Sequence, residues 1–322
     1  MHSQLCKGSL GIFSKLLLIA IGFFSSQSVL ADEGGVPFWM SGQYASMAAV
    51  PSTPGWSLVL MPYVYSGKAD KSKNFQHGQT INAGLSTRES IALFQLGYSA
   101  EEKILGGQPY VGVGWGPGSN TTTAFASVSS ISTEFNKANS VTGSTDIYPL
   151  ASLAWNKGNN NFMTYVTGDI PVGTYSATGL SSIGIGHAAI DTGGGYTYLN
   201  NTTGLEFSGV LGATYNWKNN QTNYQSGVDS HLDWSISQFL SKHWQVGIAG
   251  YVYYQLTADS GVGDRIGNFK SQVAAIGPQI GYLFNIGKKQ AYINLRAYKE
   301  FWAQNRVQGY ATIATISIPL GE

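Results

Sequence analysis

Between residues 204 and 256 every second side chain tends to be apolar. Leu205, Phe207, Leu211 and Tyr215 alternate with Glu206, Ser208, Thr214 and Asn216. Leu232, Trp234 and Ile236 alternate with His231, Asp233, Ser235 and Ser237. Trp244, Val246, Ile248, Val252, Tyr254 and Leu256 continue the pattern. An extended chain sends successive side chains to opposite faces, so each segment predicts a strand with one greasy and one wetter face. The segments exceed the usual soluble strand of about 5–6 residues. Length with alternation predicts a transmembrane antiparallel β-barrel, apolar toward lipid and polar toward the lumen.

Read back from the C-terminus, the pattern predicts strands at about 307–319, 290–301, 269–285, 243–257, 226–239, 204–217, 185–199, 160–171 and 146–156. The connections at 286–289, 240–242, 200–203 and 157–159 are short, whereas 258–268, 218–225 and 172–184 are longer and rich in Gly, Ser, Asn and Asp. Short periplasmic turns and long outer loops are the asymmetry of outer-membrane barrels. Trp56–Ser66 predicts the first strand, and Ser66–Gly78 an outer loop. Segments 79–99 and 106–135 each read as one long strand or as a hairpin. Single strands give twelve in all and hairpins give fourteen. Twelve is preferred, because Arg88-Glu89-Ser90 lacks the Gly, Pro or Asn of a committed turn.

Residues 32–54 precede the barrel (55–322) and carry Gly34, Gly35, Pro37, Pro51 and Pro54. Two expectations stand for them, a short plug within the barrel and an ordered periplasmic tail. Residues 1–31 predict a cleaved secretory signal peptide. Lys7 and Lys15 supply positive charge, Leu16–Phe24 the apolar core and Val29-Leu30-Ala31 a small-residue cleavage site. The apolar run is far shorter than the ~20 residues of a spanning helix. Cys6, the one cysteine, falls within this segment, so no disulfide is expected in the mature chain. The expected location is the outer membrane of a Gram-negative bacterium.

Charged residues make up 11% of the chain, well below the ~25% of ordinary soluble domains. Loss of Lys7 and Lys15 leaves 16 basic against 17 acidic residues, which gives nucleic acid no electrostatic footing.

Two groups of residues carry a family resemblance. The first is Glu33-Gly34-Gly35-Val36-Pro37-Phe38-Trp39-Met40-Ser41-Gly42-Gln43-Tyr44, leading to Pro51 and Pro54-Gly55-Trp56. The second runs through Tyr254-Gln255-Leu256-Thr257, Gly267-Asn268-Phe269-Lys270-Ser271, Ile276-Gly277-Pro278-Gln279-Ile280-Gly281-Tyr282, Tyr292-Ile293-Asn294-Leu295-Arg296 and Lys299-Glu300-Phe301. Together they resemble the outer-membrane proteins named for the meta-cleavage pathway of phenol degradation. The resemblance implies a barrel channel for aromatic or other hydrophobic small molecules. Such a protein meets outer-membrane lipid, small hydrophobic or aromatic solutes, and the periplasmic chaperones and barrel-assembly machinery that insert it.

His231, Asp233 and Ser235 share one strand face and invite comparison with a hydrolase triad. The order places Asp in the middle, where a triad needs His, and separates His231 from Ser235 by roughly 13 Å along the strand. A polar lumen wall is the simpler reading. His77, His187, His231 and His243 show no paired metal-ligand spacing, and no cofactor is expected. Gly112, Gly114 and Gly116 are not followed by a helix, so a dinucleotide site fails. Strand parity points Asp169, Glu206, His231, Asp233, Gln245, Tyr251, Tyr253, Tyr292, Asn294, Arg296, Tyr298 and Glu300 inward as candidates for the solute path. Buried charges need partners. Arg296 is therefore expected to pair with Glu206, Asp233 or Glu300. A passive channel is the leading expectation. A lipid-modifying outer-membrane enzyme and a structural or adhesive barrel are the alternatives.

Overall fold

The computed structural model describes residues 37–74, 80–128, 133–261 and 270–321. The expected signal peptide, its cleavage site after Ala31 and the first residues of segment 32–54 lie outside these. So do His77 and the Gly267-Asn268-Phe269 motif.

The described residues form β-strands and no helix. In chain order they are β1 (Gly55–Asn74), β2 (Thr80–Ser99), β3 (Gln108–Trp115), β4 (Pro117–Val128), β5 (Thr133–Ser144) and β6 (Tyr148–Lys157). Then come β7 (Asn160–Asp169), β8 (Ala189–Leu199), β9 (Leu205–Asn216), β10 (Tyr224–Gln225) and β11 (Asp229–Phe239). The last are β12 (Trp244–Gln255), β13 (Ser260–Gly261), β14 (Gln272–Ile286), β15 (Lys289–Gln304) and β16 (Gln308–Pro319).

Twelve antiparallel strands close into a barrel, because β1 pairs with both β2 and β16. The 79–99 segment is a single strand, as the twelve-strand reading expects. The 106–135 segment follows one path broken at Gly116. Below the break β2 pairs with β3 through residues 94–99, and above it with β4 through residues 81–91. A Cβ on Gly116 would stand 2.0 Å from the Ala92 carbonyl oxygen, so a side chain is excluded where the strand changes course. β5 and β6 form the matching broken path, interrupted at Thr145–Ile147. Outside the ring, β10 pairs with β13 and ties two long loops together.

The expected outer loop at Ser66–Gly78 needs correction. β1 continues to Asn74 and stays in register with β2 from Gly55↔Ser99 to Asn74↔Thr80. Lys68 is exposed within the strand and marks solvent rather than a turn, because a hairpin rising beyond lipid keeps its ladder.

The barrel is apolar outside and polar inside. Leu211, Phe207, Ile236 and Ile248 are exposed, while Glu206, Ser208, Asp233, Ser235 and Gln245 on the opposite parity are buried. Such an arrangement satisfies every backbone group within closed ladders and leaves side chains free to solvate in lipid. Aromatics gather near strand ends: Trp56 with Tyr98 (5.3 Å between rings) and Trp244 with Tyr282 (4.6 Å) at the short-turn rim, Tyr215 with Trp217 (5.2 Å) at the other. Interfacial girdles of this kind fix the depth of a barrel in a bilayer.

Close strand approach at Gly277 yields a prediction. A Cβ there would meet the Ala297 carbonyl oxygen at 1.6 Å, whereas one on Gly209 meets nothing nearer than 4.0 Å. Gly277→Ala is expected to cost about 1–3 kcal/mol or more, since the β14–β15 ladder must part. Gly209→Ala is expected to be nearly silent. Urea midpoints of the two variants in detergent check this; equal midpoints would show that the ladder yields freely.

Candidate functional site

Among the described residues, 37–54 before β1 carry no regular pairing and no charged side chain. Their backbone groups still need partners wherever water is excluded. The wall supplies them. Asp233 of β11 accepts the Gly42 amide (2.8 Å) and the Tyr44 amide (3.2 Å). Glu206 of β9 accepts the Met47 amide (3.0 Å), and Thr197 of β8 the Ala49 amide (3.0 Å). Arg296 of β15 donates from Nε to the Gly42 carbonyl (2.9 Å) and from Nη2 to the Gln43 carbonyl (2.7 Å). Ser46 meets Ser237 (2.8 Å) and accepts from Gln279 (2.9 Å). Residues 39–49 thus lie along the inward face of the barrel, clamped by side chains from several strands.

Gly42 is the centre of the clamp. Its φ is +82°, and a Cβ would lie 2.8 Å from the Tyr298 ring and 2.9 Å from that of Tyr251. Only glycine suits both the backbone angle and the space. Three residues earlier, the Trp39 indole stacks on His231 at 3.5 Å between rings. His231 Nε2 lies 3.0 Å from Asp191 Oδ2. Asp191 also accepts from the Tyr165 hydroxyl (2.7 Å) and from Thr214 (2.6 Å). Burial pushes the Tyr44 phenol above its ordinary range, so it stays protonated.

The expected pairing of Arg296 with Glu206, Asp233 or Glu300 is therefore corrected. Its bonds go to the Gly42 and Gln43 carbonyls, Asn294 (2.9 Å) and Thr315 (2.9 Å). The inserted backbone stands between the opposite charges and binds each. Asp233 takes the amide of Gly42 and Arg296 its carbonyl, so the peptide dipoles bridge what would have been an ion pair.

The twelve candidates are buried or half-buried, and the structure divides them. Glu206, His231, Asp233, Arg296 and Tyr298 contact the inserted segment. Gln245, Tyr292 and Asn294 form a supporting chain, with Tyr292 donating to Gln245 (2.6 Å) and Asn294 bonded to Tyr292 (3.0 Å). Tyr251 donates to Glu300 (2.8 Å), as does Tyr65 (2.7 Å). Tyr253 lies under the Arg306 guanidinium, 5.1 Å from the ring centre. Asp169 is buried at the end of β7 beside Asp146, apart from the rest. His231, Asp233 and Ser235 do not assemble as a triad. His231 turns to Asp191, Asp233 to the inserted backbone, and Ser235 lies 3.4 Å from Ser46.

Above the clamp lies a cavity of about 130 Å³. Phe38, Trp39 and Met40 form one side, and Tyr63 and Tyr65 of β1 with Glu89 and Ile91 of β2 another. Tyr148, Tyr251 and Glu300 also face it. The connection from β7 to β8 folds inward and adds Ile183 and Ile185. This loop is buried from Ser181 to Ile185. Asp146 holds it by accepting the Gly173 amide (2.6 Å) and the Ile185 amide (2.8 Å), and Asn120 by donating to the Ser182 carbonyl (3.0 Å). Strand parity missed Trp39, Glu89, Asp191 and the loop. For Asp191 a signal existed, as the acid between Ile190 and Thr192 on a strand with the inward period. Trp39 and Ile183 carried none, since irregular segments have no parity to read.

By sequence, no curated protein matches the chain. By structure, it resembles an outer membrane channel from Pseudomonas putida F1, with a TM-score of 0.56 and 10% identity over 85% of this chain and 98% of that one. It also aligns with a FadL homologue from Pseudomonas aeruginosa, with a TM-score of 0.39 and 9% identity over 89% and 97% of the two chains. The first likeness shows a shared outer-membrane barrel fold. Residues 104–316, more than half of the chain, match the family described as "Putative MetA-pathway of phenol degradation", and the chain belongs to that family.

Proposed function

We propose that the protein is a passive outer-membrane channel for small hydrophobic or aromatic molecules, and that residues 32–54 form its plug. The observation that carries this reading is the aromatic cavity between the inserted segment and the infolded loop. Its volume of about 130 Å³ is near the ~150 Å³ of an apolar cavity that accepts benzene. Twelve strands enclose less space than the sixteen or more of water-filled porins. A path with tyrosine walls offers apolar faces and polar tips, which suits aromatic solutes better than sugars. Membership of a family named for phenol degradation and likeness to an outer membrane channel support the same reading. Solutes then move down their concentration gradient, and chaperones with barrel-assembly machinery deliver the chain to the membrane after its signal is cleaved.

Uptake into proteoliposomes tests the proposal, with phenol, benzoate and a monosaccharide as solutes and empty liposomes subtracted. Protein-dependent flux is expected to favour the aromatics. A faster sugar flux would overturn the aromatic specificity, and no flux of any solute would overturn the channel.

A further inference from the structure

Glu89 stands on the cavity wall with a carboxyl oxygen that nothing in the fold satisfies. The residue is 8% exposed, and its Oε1 has no hydrogen-bond partner among the described residues. Buried carboxyl oxygens in folded proteins are nearly always bonded, so an exception calls for a reason.

Three donor-bearing neighbours are committed elsewhere. Across one ladder Glu89 faces Tyr65, whose hydroxyl donates to Glu300 at 2.7 Å. Across the other it faces Asn120, whose amide donates to the Ser182 carbonyl at 3.0 Å. Thr87, two residues earlier on the same face, donates to Asn120 at 3.1 Å. Glu300 already accepts from Tyr65, Tyr251 and the Gly309 amide (2.7 Å). Glu89 lines the cavity together with Phe38, Met40, Tyr63, Ile91 and the Arg306 side chain.

Resting on the reading of this cavity as the solute's station, we propose that Glu89 is its specificity residue. The ligand class is a single-ring compound bearing a hydroxyl or amino donor, which completes the bonding of the carboxyl group. The apolar lining takes the ring, and the carboxyl oxygen takes the donor hydrogen. A site built around a polar group rejects the analogue that leaves that group unpaired. Phenol, aniline and toluene differ only in –OH, –NH₂ and –CH₃, so they isolate this contact.

Equilibrium dialysis of radiolabelled phenol, aniline and toluene against the purified protein in micelles, with empty micelles as blank, provides the test. Wild type is expected to bind phenol and aniline about tenfold tighter than toluene, the scale of one buried hydrogen bond. Glu89→Leu is expected to erase the preference while toluene binds at least as well as before. Glu89→Gln keeps the shape but puts an amide in place of the carboxyl group, and is expected to weaken phenol and aniline severalfold with toluene unchanged. Should Glu89→Leu fail to fold, as read by its heat-modifiable migration, the Gln variant carries the test. Equal binding of all three ligands by wild type would overturn the proposal, because the carboxyl would then be satisfied by water. So would a preference that survives both substitutions. Binding as expected with no flux in proteoliposomes would sink the channel and leave this site standing.

Discussion

Deletion of residues 37–50 is expected to raise single-channel conductance severalfold and to admit a monosaccharide that the intact protein excludes. The segment fills the inward face between β8, β9, β11 and β15, held through Thr197, Glu206, Asp233 and Arg296. Eight strands enclose a space that side chains alone fill, and twelve leave more. The barrel itself is expected to survive, because its ladders close without the segment and the freed carboxylates and guanidinium gain water. Gly42→Val tests the same clamp by a smaller change, since its Cβ meets the rings of Tyr298 and Tyr251 at a φ of +82°. Partial opening, with frequent current steps, is the outcome to look for. Planar-bilayer recording of wild type, the deletion and Gly42→Val decides the matter. Identical conductance in all three would mean that the barrier to flow lies elsewhere, with the infolded loop at Ser181–Ile185 the next candidate.

Leu211→Arg is expected to destabilise the barrel by about 2–4 kcal/mol in bilayers, the cost of a cation near the lipid midplane. Leu211 is 60% exposed and lies in the middle portion of β9, between the aromatics at the two rims. Leu105 is more exposed, at 87%, but lies in the short connection between β2 and β3. Leu105→Arg is expected to cost about 0–1 kcal/mol, as near an interface. A water-soluble protein would tolerate arginine at either site, because exposure there means contact with water. Reversible urea unfolding from lipid vesicles separates these cases. Equal, small effects at both positions would contradict a lipid-facing β9.

The alternation that makes Leu211 lipid-facing was legible in the chain itself. A strand has a fixed two-residue period, so Leu205, Phe207 and Leu211 share one face and Glu206, Ser208 and Asp233 the opposite kind whatever the rest of the molecule does. Loop lengths then order the strands, and the absence of a committed turn at Arg88-Glu89-Ser90 already favoured twelve. Strand ends are less legible where the hairpin rises past Lys68, because a charged residue within a strand reads like one in a loop.

Parity tells which way a side chain points and nothing about what it meets. It placed Arg296 and Asp233 inside, yet their shared partner Gly42 lies 191 residues from Asp233 in the chain and is recognised by its backbone alone. The same limit hid Glu89, whose meaning comes from donors at Tyr65 and Asn120 turning elsewhere. The two-residue period was enough to give membrane-type strands and their inward residues, since both are local properties of an extended chain. Tertiary structure alone decided which of them clamp an inserted segment and which face a cavity, because irregular chain finds its partners in space and leaves no repeating mark.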